Sequence, residues 1–193
     1  MSKNDEACMD LNINNSMKTY KEIPDNILKI LNDCNCPGLL IRHLILVYNT
    51  GMVLTEKIKY EFPDLKILDN EIQFGLATHD IGKSIKKNEL KESGKEHEQI
   101  GYELLIDYGV NKNLARFTIT HSDWKSENIN IEDLIVSLSD KIWKGQRIDE
   151  LEEELIRRIS ISQNIDYWVV YSKLDCIISE IIIGADERLN WQN

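Results

Sequence analysis

The stretch IDELEEELIRRI, residues 148–159, has the spacing of an α-helix with one apolar face. Ile148, Leu151, Leu155 and Ile159 recur at intervals of three and four positions, which places them on one side of a helix. Two glutamates on the other side each precede an arginine by four positions, and such pairs stabilise a helix modestly. The stretch therefore predicts an amphipathic helix that buries its apolar side.

The same helical spacing recurs along most of the chain, which shows neither alternating strand patterns nor internal repeats. We predict helices near residues 25–33, 38–60, 69–79, 96–108, 111–121, 131–144, 148–161 and 166–188. Pro37 is expected in the first turn of the second helix, where a proline is tolerated. Gly82, Gly109 and Gly145 follow three of the helices and are typical of helix ends. The sequence thus predicts an all-α fold.

Length and composition fit one soluble domain, or one such domain with an appendage. The chain has 193 residues, 42% of them hydrophobic and 29% charged. No uncharged apolar run reaches the roughly 18 residues of a membrane span, and the N-terminus lacks the apolar core of a secretory signal. We therefore expect a cytoplasmic protein that does not bind a membrane. The net charge of −10 disfavours general nucleic-acid binding.

The chain divides into three regions by composition and periodicity. We expect residues 1–22 to be a flexible N-terminal segment, because they are rich in Asn and Lys and show little periodicity. Residues 23–147 are expected to form the main domain, and residues 148–193 to form C-terminal helices that pack on it. Apolar residues expected to be buried in the last region are Tyr167, Trp168, Tyr171, Leu174, Ile178 and Ile181–Ile183. Packing within the chain is the favoured interpretation, with a homodimer contact as the alternative.

Four cysteines are scattered along the chain. Cys34 and Cys36 are closely spaced, but no second pair of Cys or His residues lies nearby, while Cys8 and Cys176 are isolated. We interpret the close pair as small buried or half-buried side chains rather than as a metal or redox site.

A lysine-rich stretch stands out against the acidic remainder of the chain. It contains Lys83, Lys86, Lys87, Lys91 and Lys95 against Glu89 and Glu92. A solvated loop is the simple interpretation. The stretch would also suit an anionic substrate if a reactive centre lay beside it.

The chain has four histidines, His43, His79, His97 and His121, and they fall on four successive predicted helices. Asp80 directly follows the second histidine, and a further predicted helix carries Asp140 in the run Ser-Leu-Ser-Asp-Lys. Each residue alone is weak evidence. Together they give the order H…HD…H…H…D with no histidine left over, and imidazole with carboxylate donors suits a divalent transition metal.

Five segments that contain these residues resemble the HD-domain superfamily of metal-dependent phosphohydrolases. They are Ile41-Arg42-His43, Ala77-Thr78-His79-Asp80-Ile81-Gly82-Lys83, His97-Glu98-Gln99-Ile100-Gly101, Ile119-Thr120-His121 and Leu138-Ser139-Asp140-Lys141. The resemblance covers about residues 38–147, and its string HDIGK is fairly specific. It implies an HD-domain helical bundle, here with an extra C-terminal helical segment.

The resemblance also implies a metal centre. His43, His79, Asp80 and Asp140 match the family's core ligands, and His97 and His121 stand where a second site would be completed. We favour two divalent ions, drawn from Fe, Mn, Co, Ni, Zn or Mg, with Asp80 bridging them. The alternative is one ion, with His97 and His121 lining the pocket and touching substrate phosphate.

A metal-dependent mechanism would give catalytic roles to Asp80 and to Lys83, which lies about one helical turn after His79. Asp80 would hold the attacking water in line, and Lys83 would contact a phosphate oxygen. The alternative for Lys83 is an exposed lysine at a helix end. Lys141 and Arg42, each adjacent to a predicted ligand, have equally open roles.

The details favour a small bacterial HD protein that hydrolyses nucleotides. Superfamily members that act as deoxynucleotidases or alarmone hydrolases often carry a catalytic acid a few residues after the His-Asp pair. In this chain no acid follows Asp80 until Glu89, which disfavours those activities. Ser122 stands where cyclic-dinucleotide phosphodiesterases have a second adjacent histidine. We predict a phosphohydrolase that uses a metal-activated water on a nucleotide or dinucleoside polyphosphate. A non-catalytic scaffold that binds a nucleotide or a protein is the alternative, and an oxygen-activating di-iron member ranks last.

Overall fold

The computed structural model describes residues 20–126 and 128–192, and within these ranges the secondary structure is helical, with no strand. The α-helices are α1 Asp25–Asp33, α2 Gly38–Glu61, α3 Asp69–Thr78, α4 Glu96–Asp107, α5 Lys112–Ala115, α6 Phe117–Thr120, α7 Ile131–Ile142, α8 Asp149–Gln163, α9 Tyr167–Ile182 and α10 Ala185–Gln192. Two short 3₁₀ turns, Ile81–Ser84 and Lys87–Leu90, connect α3 to α4. The predicted all-α fold is confirmed.

The long helix α2 lies at the centre of the bundle and packs against α3, α7 and α9. Leu40, Leu44 and Leu54 are fully buried along it. At Gly51 the neighbouring helix approaches so closely that a Cβ would lie 2.2 Å from Leu76 Cδ2. Among the described helices, α2 is also the one that is long and apolar enough to cross a membrane, but 50% of its most apolar 18 residues are buried in the fold. That burial is what a core helix requires.

Helix boundaries differ from prediction where tertiary contacts intervene. The predicted helix 111–121 is divided into α5 and α6 at Arg116, whose guanidinium turns towards Asp133 and Glu71. The predicted helix 166–188 is divided into α9 and α10. Gly109 and Gly145 adopt left-handed conformations, with φ of 79° and 81°, after α4 and α7. Those two helix ends are as predicted.

The C-terminal helices pack on the bundle through a narrower apolar face than the sequence predicts. The stripe Leu151, Leu155 and Ile159 of α8 is buried. The expected burial within the chain is wrong for two aromatic residues of α9, because Trp168 and Tyr171 are 69% and 41% exposed. Trp168 lies about 120° around the helix from the buried Leu174 side, at 100° per residue. Beyond the end of α9, Ile183 is 78% exposed, so its predicted burial is also wrong.

The N-terminal segment and the cysteines are partly described. Residues 1–19 and Cys8 lie outside the described residues, whereas Tyr20 stacks edge-on against Trp191 of α10 at 4.8 Å. Lys21 donates its backbone N–H to the Asn49 side chain at 2.8 Å, so the described end of this segment contacts α2.

Cys36 is buried and Cys34 half-buried, as predicted, and both thiols are free.

Candidate metal centre

The predicted ligands converge from five parts of the bundle. His43 lies in α2, His97 in the first turn of α4 and Asp140 in α7. His79 and His121 were predicted to lie within helices. They instead cap the C-terminal ends of α3 and α6. At each of these two places the chain turns, which directs the imidazole back into the bundle.

His43, His79 and Asp140 form a first group of ligands together with one carboxylate oxygen of Asp80. His43 Nε2 lies 3.2 Å from Asp80 Oδ2 and 3.4 Å from Asp140 Oδ1. His79 Nε2 lies 3.7 Å from Asp80 Oδ2 and 3.5 Å from Asp140 Oδ1. The four donor atoms all lie within 4.8 Å of one another, a spacing that can hold one metal ion.

The other carboxylate oxygen of Asp80 faces a second group. Asp80 Oδ1 lies 3.1 Å from His97 Nε2 and 3.6 Å from His121 Nε2. These three residues also lie close enough together to hold a metal ion. Asp80 is therefore shared between two possible cation positions, one at each of its oxygens.

The chemistry of the donors fits a divalent metal. Asp80 and His97 are 2% and 4% exposed, yet among the described residues Asp80 Oδ1 and His97 Nε2 have no hydrogen-bond partner. Leaving a buried carboxylate oxygen and an imidazole nitrogen unpaired is costly. A cation between them satisfies both atoms, and a set of nitrogen and oxygen donors suits the transition metals.

Backbone carbonyls fix the orientation of two imidazoles. His79 Nδ1 lies 3.3 Å from the carbonyl oxygen of Leu76, and His121 Nδ1 lies 3.1 Å from that of Phe117. With Nδ1–H donated to a carbonyl, the Nε2 lone pair is free to bind a metal. Both Nε2 atoms point into the cluster.

The electrostatics of the cluster favour ionised carboxylates with at least one neutral imidazole. Burial would raise the pKa of Asp80, but the imidazoles of His79, His43 and His97 hold that pKa well below its usual range. Burial acts in the same way on Asp140, whose pKa is also held low, chiefly by His79 and Lys141. Burial lowers the pKa of His121 to about 3, so its imidazole is neutral and available as a ligand.

A cleft of about 480 Å³ opens onto the cluster. Its walls include Lys83, Lys95, Lys141 and Lys144, so part of the lysine-rich stretch does lie beside the predicted centre. Lys83 Nζ bonds Asp80 Oδ2 at 2.7 Å, and Lys141 Nζ bonds Asp140 Oδ2 at 2.8 Å. The side chain of Lys83 is 21% exposed and pairs with Asp80, so it is not the exposed lysine at a helix end that the alternative describes.

Other basic residues named from the sequence lie elsewhere. Arg42 does not reach the cluster, because its Nε donates to the backbone oxygen of Gln192 at 2.7 Å. Lys86 pairs with Glu96, and Lys87 and Lys91 are exposed.

Two residues beside the cluster were missed by the sequence analysis. Glu89, noted there as an acid of the lysine-rich stretch and as the first acid after Asp80, bonds His97 Nδ1 at 2.5 Å. Trp143 packs edge-on against His43, with 5.2 Å between ring centroids, and lines the cleft. No motif or spacing marks either position, because each contact depends on how distant helices pack.

The fold and the cluster define an all-α protein with a candidate divalent-metal centre. A family model described as the HD domain matches residues 40–143, just over half of the chain. The chain therefore belongs to the HD-domain family, which agrees with the resemblance to the superfamily of metal-dependent phosphohydrolases. Searches of curated proteins and of solved structures returned no significant match.

Proposed function

We propose that the protein is a metal-dependent phosphohydrolase that cleaves a phosphoester or phosphoanhydride bond in a small phosphorylated molecule, a nucleotide or dinucleoside polyphosphate. One observation carries the proposal. The two oxygens of the buried Asp80 carboxylate face two separate groups of imidazoles at the floor of a cleft with lysines in its wall. That arrangement suits two divalent ions bridged by one carboxylate.

Six side chains would hold the ions. The first ion would bind His43, His79, Asp80 and Asp140, and the second would bind Asp80, His97 and His121. Divalent ions in such a site supply an activated water near neutral pH and stabilise negative charge on phosphate oxygens. Their identity is open among the metals that these nitrogen and oxygen donors suit.

The lysines of the cleft would orient the substrate. Lys83 and Lys141 each pair with a ligand carboxylate and keep that carboxylate in place. Lys95 and Lys144 add positive charge to the wall. Because the whole chain carries a net charge of −10, the cleft needs this local positive charge to attract a phosphate anion.

The dimensions of the cleft favour a small substrate. Its volume of about 480 Å³ lies within the range of small-molecule sites. Leu39, Leu40 and Leu90 line part of the wall and offer an apolar surface. A nucleoside can pack on that surface while its phosphate reaches the cluster.

A hydrolysis screen tests the proposal. Purified protein is assayed with nucleotides, dinucleoside polyphosphates and an aryl phosphate in the presence of Mn²⁺, Fe²⁺, Co²⁺, Ni²⁺, Mg²⁺ or Zn²⁺. We expect cleavage of at least one substrate, lost in the double variant His79→Ala/Asp80→Ala. The control Asp107→Ala, which changes an exposed acid at the end of α4, should keep full activity.

Two results would contradict the proposal. Cleavage of nothing under reducing, metal-loaded conditions would favour the non-catalytic scaffold. Full activity in the double variant would show that this His-Asp pair is not the catalytic centre.

A further inference from the structure

Glu89 is a buried acid in the lysine-rich loop beside the second group of ligands. Its side chain is 5% exposed, as is that of His97. Glu89 Oε2 lies 2.5 Å from His97 Nδ1, the ring nitrogen that faces away from the cluster. On the other side of the ring, Nε2 lies 3.1 Å from Asp80 Oδ1. Glu89 and Asp80 thus each lie beside a different ring nitrogen of His97.

The same carboxylate also binds the start of α4. The backbone N–H groups of Glu96 and His97 donate to Glu89 Oε1 and Oε2, each at 3.3 Å. The first N–H groups of a helix have no partner within the helix, and Lys95, which precedes α4, provides no side-chain cap. Glu89 therefore fixes both the backbone and the ring of His97.

The loop is shaped to hold Glu89 in this place. A Cβ added at Gly94 would lie 2.4 Å from the Glu89 carboxyl carbon, closer than atoms can approach. The glycine allows the loop backbone to close against the carboxylate, so the lysine-rich loop is anchored to the cluster through one acid.

We propose that Glu89 is a positioning residue that turns the Nε2 lone pair of His97 towards the cation position beside Asp80 Oδ1 and thereby sets the affinity of the second metal ion. This inference rests on the proposed two-ion centre. A carboxylate that accepts the Nδ1–H of a ligating histidine fixes its tautomer and ring orientation, and loss of such a partner costs about 10–100-fold in metal affinity. Glu89 touches neither ion position itself, because His97 lies between.

Metal titration of Glu89→Gln tests the inference. The single glutamine oxygen can replace only one of the two carboxylate oxygens, so the variant keeps the side-chain volume and part of the hydrogen bonding to α4 but loses the negative charge beside His97 Nδ1. Wild type, Glu89→Gln and Glu89→Ala are titrated with Co²⁺ by calorimetry and by visible absorption, which reports the ligand geometry of each ion. Glu103→Gln, an exposed acid on α4, is the matched control.

We expect wild type and Glu103→Gln each to bind two ions, and the affinity for each ion to be the same in both proteins. Glu89→Gln should bind the first ion unchanged and the second about 10–100-fold more weakly, with altered absorption of the second ion only. Circular dichroism should show wild-type helix content for this variant.

Two outcomes would overturn the inference in distinguishable ways. Two ions in wild type with unchanged affinity and absorption in Glu89→Gln would mean that Glu89 only caps α4, and the proposed centre would stand. A single ion in wild type would overturn the two-ion centre together with this inference.

Discussion

Gly82 is the residue of the HDIGK string at which two backbones touch. A Cβ at this position would lie 2.0 Å from the backbone oxygen of His97 and 2.7 Å from the backbone nitrogen of Gly101. The prediction that Gly82 marks a helix end is wrong, because Gly82 lies inside the 3₁₀ turn Ile81–Ser84 with its φ outside the left-handed region. Its lack of a side chain lets the turn after Asp80 pack on α4.

Gly82→Ala should therefore separate the turn from α4 and displace His97. We expect a loss of about 2 kcal/mol or more in the free energy of unfolding, measured by urea denaturation, together with weaker metal binding. The control is Gly38→Ala, whose Cβ would meet only the Arg42 guanidinium at an ordinary 3.7 Å. Equal stability of the two variants would contradict the close packing at Gly82.

Cys36 offers a prediction that depends on pH. Burial, aided by the neighbouring Cys34, raises the pKa of the Cys36 thiol to about 12. The raised pKa means that the fold favours the neutral thiol, so at pH 8 about one molecule in ten thousand carries the reactive thiolate. Iodoacetamide at pH 8 should leave Cys36 unmodified in the folded protein, as followed by peptide mass mapping. Modification as fast as in urea would contradict the buried, inert thiol.

At the scale of the element, α10 holds the end of the helix that carries Asp140. Arg188 Nε donates to the Trp143 carbonyl oxygen at 2.5 Å, and Nη2 donates to those of Ile142 and Ile181 at 3.2 and 2.8 Å. Trp143 in turn packs against His43. A helix outside the matched family region therefore supports one wall of the cleft.

Arg188→Ala should leave three carbonyl groups without this donor, two at the end of α7 and one near the end of α9. We expect a loss of about 2–3 kcal/mol in the free energy of unfolding, because hydrogen bonds to charged groups contribute about 1.5–3 kcal/mol. Arg157→Ala is the matched control, since that arginine is 51% exposed and pairs with Glu154 at the surface. The control should cost less than about 1 kcal/mol. A comparable loss in both variants would contradict the role of Arg188.

Helices could be predicted from the sequence where local periodicity and burial agree. The stripe Leu151, Leu155 and Ile159 gives both the helix α8 and its buried face. The exposure of Trp168 could not be predicted, because an apolar residue at the edge of a stripe is buried only if a neighbouring helix covers it. The break at Arg116 also depends on partners in other helices.

At the scale of the whole molecule, the candidate ligands could be predicted because histidine is scarce in this chain. All four histidines and both predicted acids meet in one cluster. Glu89 could not be predicted, because it lies among lysines in a loop with no periodic pattern. Its partner His97 is fixed only when α4 packs against the turn that follows Asp80.

Aromatic residues are exposed on the surface of the C-terminal region. Tyr167, Trp168 and Tyr171 pack against one another at the start of α9, with Trp168 exposed. A homodimer contact in the C-terminal region stays a prediction. Sedimentation would check it by comparing the oligomeric state of the wild type with that of Trp168→Ser.

Anomalous diffraction from a crystal soaked in Mn²⁺ tests whether the Asp80 carboxylate lies between two divalent ions. We expect two peaks, one among His43, His79, Asp80 and Asp140 and the other among Asp80, His97 and His121. A crystal with no peak at the Asp80 carboxylate, or with manganese bound only elsewhere on the surface, would contradict this expectation.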